Sequence, residues 1–412
     1  MLMGLGSSGD VNPLLGIGDA LRERGHRVTL VSAPQFASAA LSIGADFFGI
    51  GTAEEYKAIY ADPDLWHPRR GLGVFFPYAA GLSDRIVSIA EEHHTPGDTV
   101  LVGTFQCFGA RIAQEVLGLP LCTVLPNPIL LQSVWDPGQS PIGNPPAWLG
   151  KGALRFMYWV ANREISRHAR PGVNAARSRR GLAPIRDIVG WSRSPDRVLG
   201  LWPSALAAPQ RDWPPQAKTT GFICFDGPAA VDWSPPGELP DRTDWLVFTP
   251  GTQMTHGAEF FALACDVAED LGTPTLMVAR DRSALPEELP PNVRHLAFAP
   301  FAWLFERASL VVHHGGIGTS GRALEAGCPQ LIVPSGFDQF DNAERIVRLG
   351  VGEQIRRKYL TRSSLNATLR RLAGSDHVRE RCGELRAELV RWDALGETCD
   401  EIERLLKNAP AE

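Results

Sequence analysis

The chain has 412 residues, 44% of them hydrophobic and 21% charged, with a formal net charge of −5. That length exceeds what one hydrophobic core usually serves, so two domains are expected, and the composition excludes a disordered or fibrous chain. The negative balance argues against a nucleic-acid partner, no apolar run approaches the roughly 20 residues of a membrane span, and no leader segment is expected at the start.

The chain opens with MLMGLGSSGDVNPLLGIGDAL, in which Gly4, Gly6 and Gly9 match G-x-G-x-x-G. Alone this is weak, because any tight strand-to-helix turn uses glycines. A dinucleotide site also needs an acid about 20 residues on, at the end of the next strand. The stretch TLVSA at 29–33 holds none. Asp10 points elsewhere: a carboxylate at a helix start is stabilised by free N–H groups and the helix dipole, yet it would repel a pyrophosphate. The periodicity of PLLGIGDALRER predicts a helix starting at Pro13 and ending at Gly25.

Next, RVTLVSA, DTVLVGTF and GLPLCTVLP read as buried strands between helical stretches, the pattern of a parallel sheet covered by helices. Two stretches rich in aromatics, Pro and Gly interrupt it: DPDLWHPRRGLGVFFPYAAG, with Trp66, Phe75 and Phe76, and residues 127–160, with Trp135. Both read as irregular binding loops rather than core elements. The basic run NREISRHARPGVNAARSRRGL reads as a solvated helical face, with contact to anionic lipid or phosphate as the alternative. No helix interleaving aromatics with a basic stripe is legible.

Residues 206–240 are Pro-dense and aperiodic, a linker between a first domain at 1–205 and a second at 241–385. The charged end, 386–412, is expected to be helical and to pack back on the first domain. The seven cysteines are scattered without a C-x-x-C and read as reduced thiols. His93-His94 and His313-His314 are adjacent pairs whose side chains diverge, so no metal site is expected.

The second half holds SLVVHHGGIGTSGRALEAGCPQLIVPSGFDQFDNAERI. SLVVH and QLIVP read as strands, with a short helix between them closed by Gly327. His314, Gly315, Gly316, Ile317, Gly318 and Thr319 therefore occupy a strand-to-helix turn, where glycines allow close backbone approach and the helix N-terminus offers donors to a diphosphate. There is no Walker motif. His313 is assigned to packing. Asp338 and Gln339 follow the next strand at its carboxyl end, where polar ligands bind in such sheets, and their hydrogen-bonding capacity suits sugar hydroxyls.

Together, V-x-H-H-G-G-x-G-T, the A-P-x-x-x-L run at 299–304, D-Q-x-x-N-A at 338–343 and the opening G-S-x-G-D-V-x-P resemble the motifs of family 1 nucleotide-sugar glycosyltransferases. The resemblance covers nearly the whole chain. In DPDLWHP, APQRDWPPQAKTTGFICFDG, VFTPGT and FDQFDNAERIVRLG it is most similar to the rhamnosyltransferases of rhamnolipid biosynthesis. It implies an α/β protein of the GT-B fold, two Rossmann-like domains with the reaction in the cleft. It implies Asp10 as catalytic base, His314, Thr319 and the backbone of Gly315, Gly316 and Gly318 as diphosphate ligands, and Thr252 as a further phosphate contact. Phe298 would stack on the nucleobase, the backbone of Phe301 would meet its edge, and Asp338 and Gln339 would hold the donor sugar. Arg322 departs from the family, standing where plant members carry a Glu that grips the ribose.

The expected activity is inverting, metal-independent and cofactor-free transfer from a dTDP- or UDP-linked sugar, dTDP-L-rhamnose favoured, to a hydroxyl of an apolar acceptor such as a hydroxyalkanoyl lipid. Trp66, Phe75, Phe76 and Trp135 would line the acceptor side. A UDP-glucose-type transferase acting on a polyketide or other aglycone is the alternative. Other classes are a catalytically silent GT-B-like binding partner, a nonhydrolysing sugar-nucleotide epimerase and an NADP oxidoreductase. The expected location is the cytoplasm, with peripheral contact at the inner membrane face as a variant.

Overall fold

The computed structural model describes residues 1–67, 70–227, 230, 233–250 and 257–407. The chain divides into two compact units, one of Met1–Phe225 together with the chain from Asp393 onward, the other of Asp226–Trp392.

The first unit is built on a parallel sheet of β1 (Leu2–Met3), β2 (Thr29–Ser32), β3 (Asp46–Gly49), β4 (Leu101–Thr104), β5 (Leu121–Leu125), β6 (Arg197–Gly200) and β7 (Ala217–Thr219). Its order is β3-β2-β1-β4-β5-β6-β7, and every neighbouring pair is parallel. Its helices are α1 (Ser8–Glu23), α2 (Ala37–Ser42), α3 (Ala53–Ala61), α4 (Gly71–Gly81), α5 (Ser83–His93), α6 (Phe108–Leu117), α7 (Gly150–Ser178) and α8 (Ile188–Ser192). β2, β4 and β5 are buried along their whole length, as their continuous apolar runs demand of strands covered on both faces.

Helix α1 begins at Ser8, not at Pro13. Ser7 and Asp10 form a reciprocal capping box, which satisfies two free amide groups and starts the helix before the proline. The stretch expected as an irregular loop around 60–80 folds into α4. Gly71, Gly73 and Pro77 give it poor intrinsic propensity, and tertiary packing overrides that. A Cβ on Gly172 of α7 would lie 2.8 Å from the backbone of Ala80, so α4 and α7 meet where neither has a side chain to spare. α7 itself begins inside the second expected loop and joins its aromatics to the basic run in one helix.

The Pro-dense stretch expected as a linker stays with the first sheet up to Phe225. It supplies β7, and Phe222 and Ile223 are buried. At the far end of the chain, α15 (Ala394–Lys407) belongs to this unit. Arg24 pairs with Asp400 at 2.7 Å, and the hydroxyls of Thr398 and Thr220 are 2.7 Å apart in the interior.

The second unit has a six-stranded parallel sheet of order β10-β9-β8-β11-β12-β13. These are β8 (Trp245–Thr249), β9 (Thr275–Val278), β10 (Val293–Leu296), β11 (Ala308–His313), β12 (Gln330–Ile332) and β13 (Gly352–Gln354). Its helices are α9 (Ala258–Leu271), α10 (Phe301–Glu306), α11 (Ile317–Ala326), α12 (Gln339–Arg348), α13 (Arg362–Ala373) and α14 (Asp376–Leu389). Alternate residues of β8 feed the two faces: Leu246 and Phe248 pack with Phe261 and Met277, while Trp245 and Val247 pack with Leu304 and Phe305.

Each sheet reverses its winding beside its first strand, next to β1 and β4 in the first unit and next to β8 and β11 in the second. Ligands of open parallel sheets bind outside the carboxyl ends of the strands at such switch points. Asp10 follows β1, and the His314–Thr319 turn follows β11.

Candidate functional site

In the first unit, the switch point brings Asp10 and Gln106 together, the first after β1 and the second after β4. Asp10 Oδ2 accepts from the Ser7 amide at 2.8 Å and from the Ser7 hydroxyl at 3.1 Å. Its Oδ1 accepts from Gln106 Nε2 at 3.2 Å, and the same nitrogen donates to the Leu5 carbonyl at 2.5 Å. Gly6 is required for this approach: its φ is +120°, and a Cβ there would lie 2.3 Å from Asp10 Oδ2. The residue keeps partial solvent contact while its carboxyl is enclosed by protein. Burial raises its pKa above the usual carboxylate value, and the donors from Ser7 and Gln106 oppose that rise. A carboxylate held by three donors, yet pushed toward protonation by its surroundings, suits general-base work.

The residues expected on the acceptor side take different places in this unit. Phe76 is buried against Phe108 with ring centroids 6.4 Å apart, and Phe75 meets Phe76 edge-on. Trp66 closes a short turn, Pro63–Trp66, ahead of α4 and is partly buried. Trp135 is exposed and lies between Lys151 and Arg211, whose cationic groups sit over its ring.

In the second unit, β11 delivers His313 and His314 into the glycine turn. His313 is fully buried. Its Nδ1 accepts from the Gly315 amide at 3.1 Å, so Nε2 carries the proton and donates to Gln330 Oε1 at 3.0 Å. Gln330 Nε2 continues to the Ser320 carbonyl in α11 at 3.3 Å. Gly315 has φ +90°, and a Cβ on it would meet Ile332 at 2.7 Å. The His314 ring folds over Gly316, where a Cβ would lie 2.5 Å from Nε2, and its Nδ1 is buried without a hydrogen-bond partner. Burial lowers His313 to about 3 and His314 to about 4, so both are neutral at physiological pH.

Helix α11 starts at Ile317 with Gly316 as its cap and no side chain capping it. Its first amide groups are therefore left for a ligand. Gly318 is exposed with open space where its side chain would be, and Thr319 is buried in the first turn. A cavity of about 260 Å³ opens beside the turn, lined by Pro250, Phe260, His313, His314, Ser335 and Arg357 among others.

Asp338 and Gln339 stand at the start of α12. Asp338 occupies the cap position but does not cap the helix with its side chain. Its Oδ2 accepts from Asn342 Nδ2 at 2.7 Å, and Asn342 also donates to the Gly315 carbonyl at 2.9 Å, tying α12 to the glycine turn. Gln339 is buried, with Oε1 accepting from the amides of Ser335 and Gly336 at 2.8 and 3.2 Å. The preceding Phe337 has φ +50°, a left-handed backbone rare for a bulky residue and of the kind that re-aims functional side chains.

Phe298 is exposed between β10 and α10, and Phe301 stacks on Phe305 at 4.8 Å. Arg322 pairs with Asp226 at 3.3 Å and with Glu325 at 3.1 Å, while Asp226 accepts from the Ala302 amide at the start of α10. Thr252 lies outside the described residues. Among the described residues, no group of three or more His, Cys, Asp or Glu side chains is placed to share a metal ion. No described helix is long and apolar enough to cross a membrane.

Sequence reasoning missed Ser7, Gln106, Asn342 and Phe337, and it gave His313 only a packing role. Asn342 stands in the D-Q-x-x-N-A motif and Ser7 opens S-x-x-D, so both carried a local signal. Gln106 carried none.

Residues 1–134 match the glycosyltransferase family 28 N-terminal domain, and residues 273–405 match the C-terminal domain of the erythromycin biosynthesis protein CIII-like family. The O-mycaminosyltylonolide 6-deoxyallosyltransferase of Streptomyces fradiae is 30% identical over 403 residues, 90% of this chain and 88% of its own. The chain belongs to the EryCIII-like glycosyltransferases. Its fold is GT-B. The glycosyltransferase of kitacinnamycin superposes with a TM-score of 0.75 at 24% identity, over 98% of both chains. The glycosyltransferase VinC, solved in complex with dTDP, superposes with a TM-score of 0.72 at 21% identity, again over 98% of both. The opening glycines of this glycosyltransferase therefore do not mark an oxidoreductase.

Proposed function

We propose that this enzyme transfers a hexosyl group, with inversion, from a dTDP-linked donor to a hydroxyl of an apolar aglycone. The observation that carries this reading is the uncapped start of α11 beneath the half-buried His314 ring, an arrangement that suits a diphosphate. In the first unit, Asp10 takes the proton of the acceptor hydroxyl as its oxygen attacks the anomeric carbon. The C–O bond to the diphosphate breaks in line, and the electron pair leaves with the nucleoside diphosphate. The charge gathering there is met by the amides of the first turn of α11, by the Thr319 hydroxyl and by His314. Asp338 and Gln339 hold the donor sugar, Phe298 and Phe301 the base, and the step calls on no metal.

A dTDP donor is supported by the dTDP complex of the similarly folded VinC, and an aglycone acceptor by the Streptomyces fradiae relative, named for 6-deoxyallosyl transfer to O-mycaminosyltylonolide. L-Rhamnose is the favoured 6-deoxyhexose, on the sequence similarity to rhamnolipid rhamnosyltransferases. The same similarity favours a hydroxyalkanoyl lipid as the second acceptor reading. The test is thermal-shift titration with dTDP and UDP, followed by transfer from dTDP-L-rhamnose to macrolide-type aglycones and to 3-hydroxyalkanoyl lipids. Stronger stabilisation by dTDP and glycoside formation with an aglycone are expected. Stabilisation by neither diphosphate would overturn the reading, and product with the lipid alone would replace the acceptor.

A further inference from the structure

Helix α7 leaves one apolar face uncovered. From Gly150 to Ile165 it contains no fully buried residue, and burial begins only at Ser166. Trp148 is 82% exposed, Phe156 64% and Trp159 55%, with Leu149 and Val160 exposed beside them. Leu149, Phe156, Trp159, Val160 and Arg163 recur at helical spacing and share one side of the helix. Phe156 and Trp159 stack at 5.8 Å. The orientation is fixed from behind: Tyr158 donates to the Ser133 carbonyl at 3.1 Å, and Asn162 and Gln132 exchange amide hydrogen bonds at 3.1 Å. Single exposed hydrophobics need no explanation, but a contiguous aromatic face marks an interaction surface.

The charges choose the partner. Between Asp136 and Glu164 the sequence holds no carboxylate, while Lys151, Arg155 and Arg163 are all cationic. Arg155 and Arg163 are exposed among the aromatics, and Arg163 lies 5.5 Å over the Trp159 ring. A helix that presents Trp, Phe and Leu together with Arg, and cannot span a bilayer, has the chemistry of an interfacial helix. Rings settle at the acyl boundary while guanidinium groups reach anionic headgroups. Protein interfaces are also enriched in aromatics and arginine; what selects a bilayer here is the one-signed charge, cations with no carboxylate from 137 to 163, the complement of anionic headgroups. We propose that the first half of α7, with Trp148 and Leu149 ahead of it, docks the protein peripherally on an anionic phospholipid bilayer.

The test is co-sedimentation of the full chain with phosphatidylcholine vesicles, with and without phosphatidylglycerol, at low and high salt. The wild type should sediment with the anionic vesicles and be released by salt. The triple variant Trp148→Ser, Phe156→Ser, Trp159→Ser and the double variant Arg155→Gln, Arg163→Gln should each bind about tenfold more weakly or worse. Both should keep the wild-type melting temperature, since none of these side chains is buried. Tryptophan emission should shift to the blue on binding in the wild type and not in the triple variant. Absence of vesicle binding at low salt, or equal binding to neutral vesicles, would overturn the proposal. So would a wild-type dimer that the triple variant abolishes without any vesicle binding, which would assign the face to a second copy of the chain.

Discussion

His313 and Gln330 are joined by a 3.0 Å hydrogen bond inside the second unit, at the base of the glycine turn that follows β11. His313 also receives the Gly315 amide, and Gln330 reaches the Ser320 carbonyl, so one buried pair ties the end of β11 and the body of α11 together. Gln330→Leu leaves the His313 Nε2–H without an acceptor. It should lower stability by about 1–3 kcal/mol and raise donor KM, with a smaller change in kcat. Calorimetry and donor titration check this. An unchanged donor KM alongside lowered stability would make the pair purely structural.

Acid should weaken the same region. His313 and His314 are held neutral, at about 3 and about 4, by burial, against about 6.5 for an unperturbed histidine. Groups depressed in the folded state contribute stability that is complete above the unfolded value and is lost as pH falls toward the folded values. Unfolding free energy should therefore fall between about pH 6.5 and 4, and His314→Asn should flatten that slope. Equal slopes for variant and wild type in denaturant titrations would contradict the assignment.

Asp10→Asn should lower kcat about 10²- to 10⁴-fold while leaving donor affinity intact. Stability carries a second signature. Because burial raises the Asp10 pKa, the folded state favours the neutral acid, and the wild type loses stability as pH rises through that value. Asparagine cannot ionise, so the melting temperature of the variant relative to wild type should climb from acidic to neutral pH. Near-normal turnover with the true acceptor would remove Asp10 from the role of base.

Gln106→Leu removes a donor from the charged form of Asp10, so the carboxyl pKa should rise further. The acid limb of the kcat profile should move to higher pH, a change that a packing defect alone would not produce. Loss of the partner for the Leu5 carbonyl should also cost about 1–3 kcal/mol. A profile superimposable on wild type would leave Gln106 as packing.

Gly315→Ala places a methyl 2.7 Å from Ile332 at φ +90°, and should destabilise by roughly 1–3 kcal/mol with loss of dTDP binding. Gly318→Ala, facing open space, should leave the melting temperature unchanged. If the two substitutions proved equally mild in thermal unfolding, the close packing at Gly315 would not be what shapes the turn.

By itself the sequence determined the two parallel sheets, because short β-rich runs such as TLVS, LCTVL and LVVH alternate with helical stretches and read as covered strands. It also determined the glycine turn after β11, since HHGGIGT joins a positive-φ glycine, open backbone and a helix start within one local segment. Asp10 at the head of α1 was legible for the same reason: capping is a matter of neighbours. What only the tertiary structure decided depends on partners distant in sequence. Gln106 meets Asp10 because β4 lies beside β1 at the point where the winding reverses. His313 gains its second hydrogen bond because β12 carries Gln330 past it. α4 forms against its own Gly and Pro content because α7 offers Gly172 for close approach. Local periodicity and capping act over a few residues and can be read from the chain, whereas burial, strand order and the pairing of polar groups exist only once the sheets have formed.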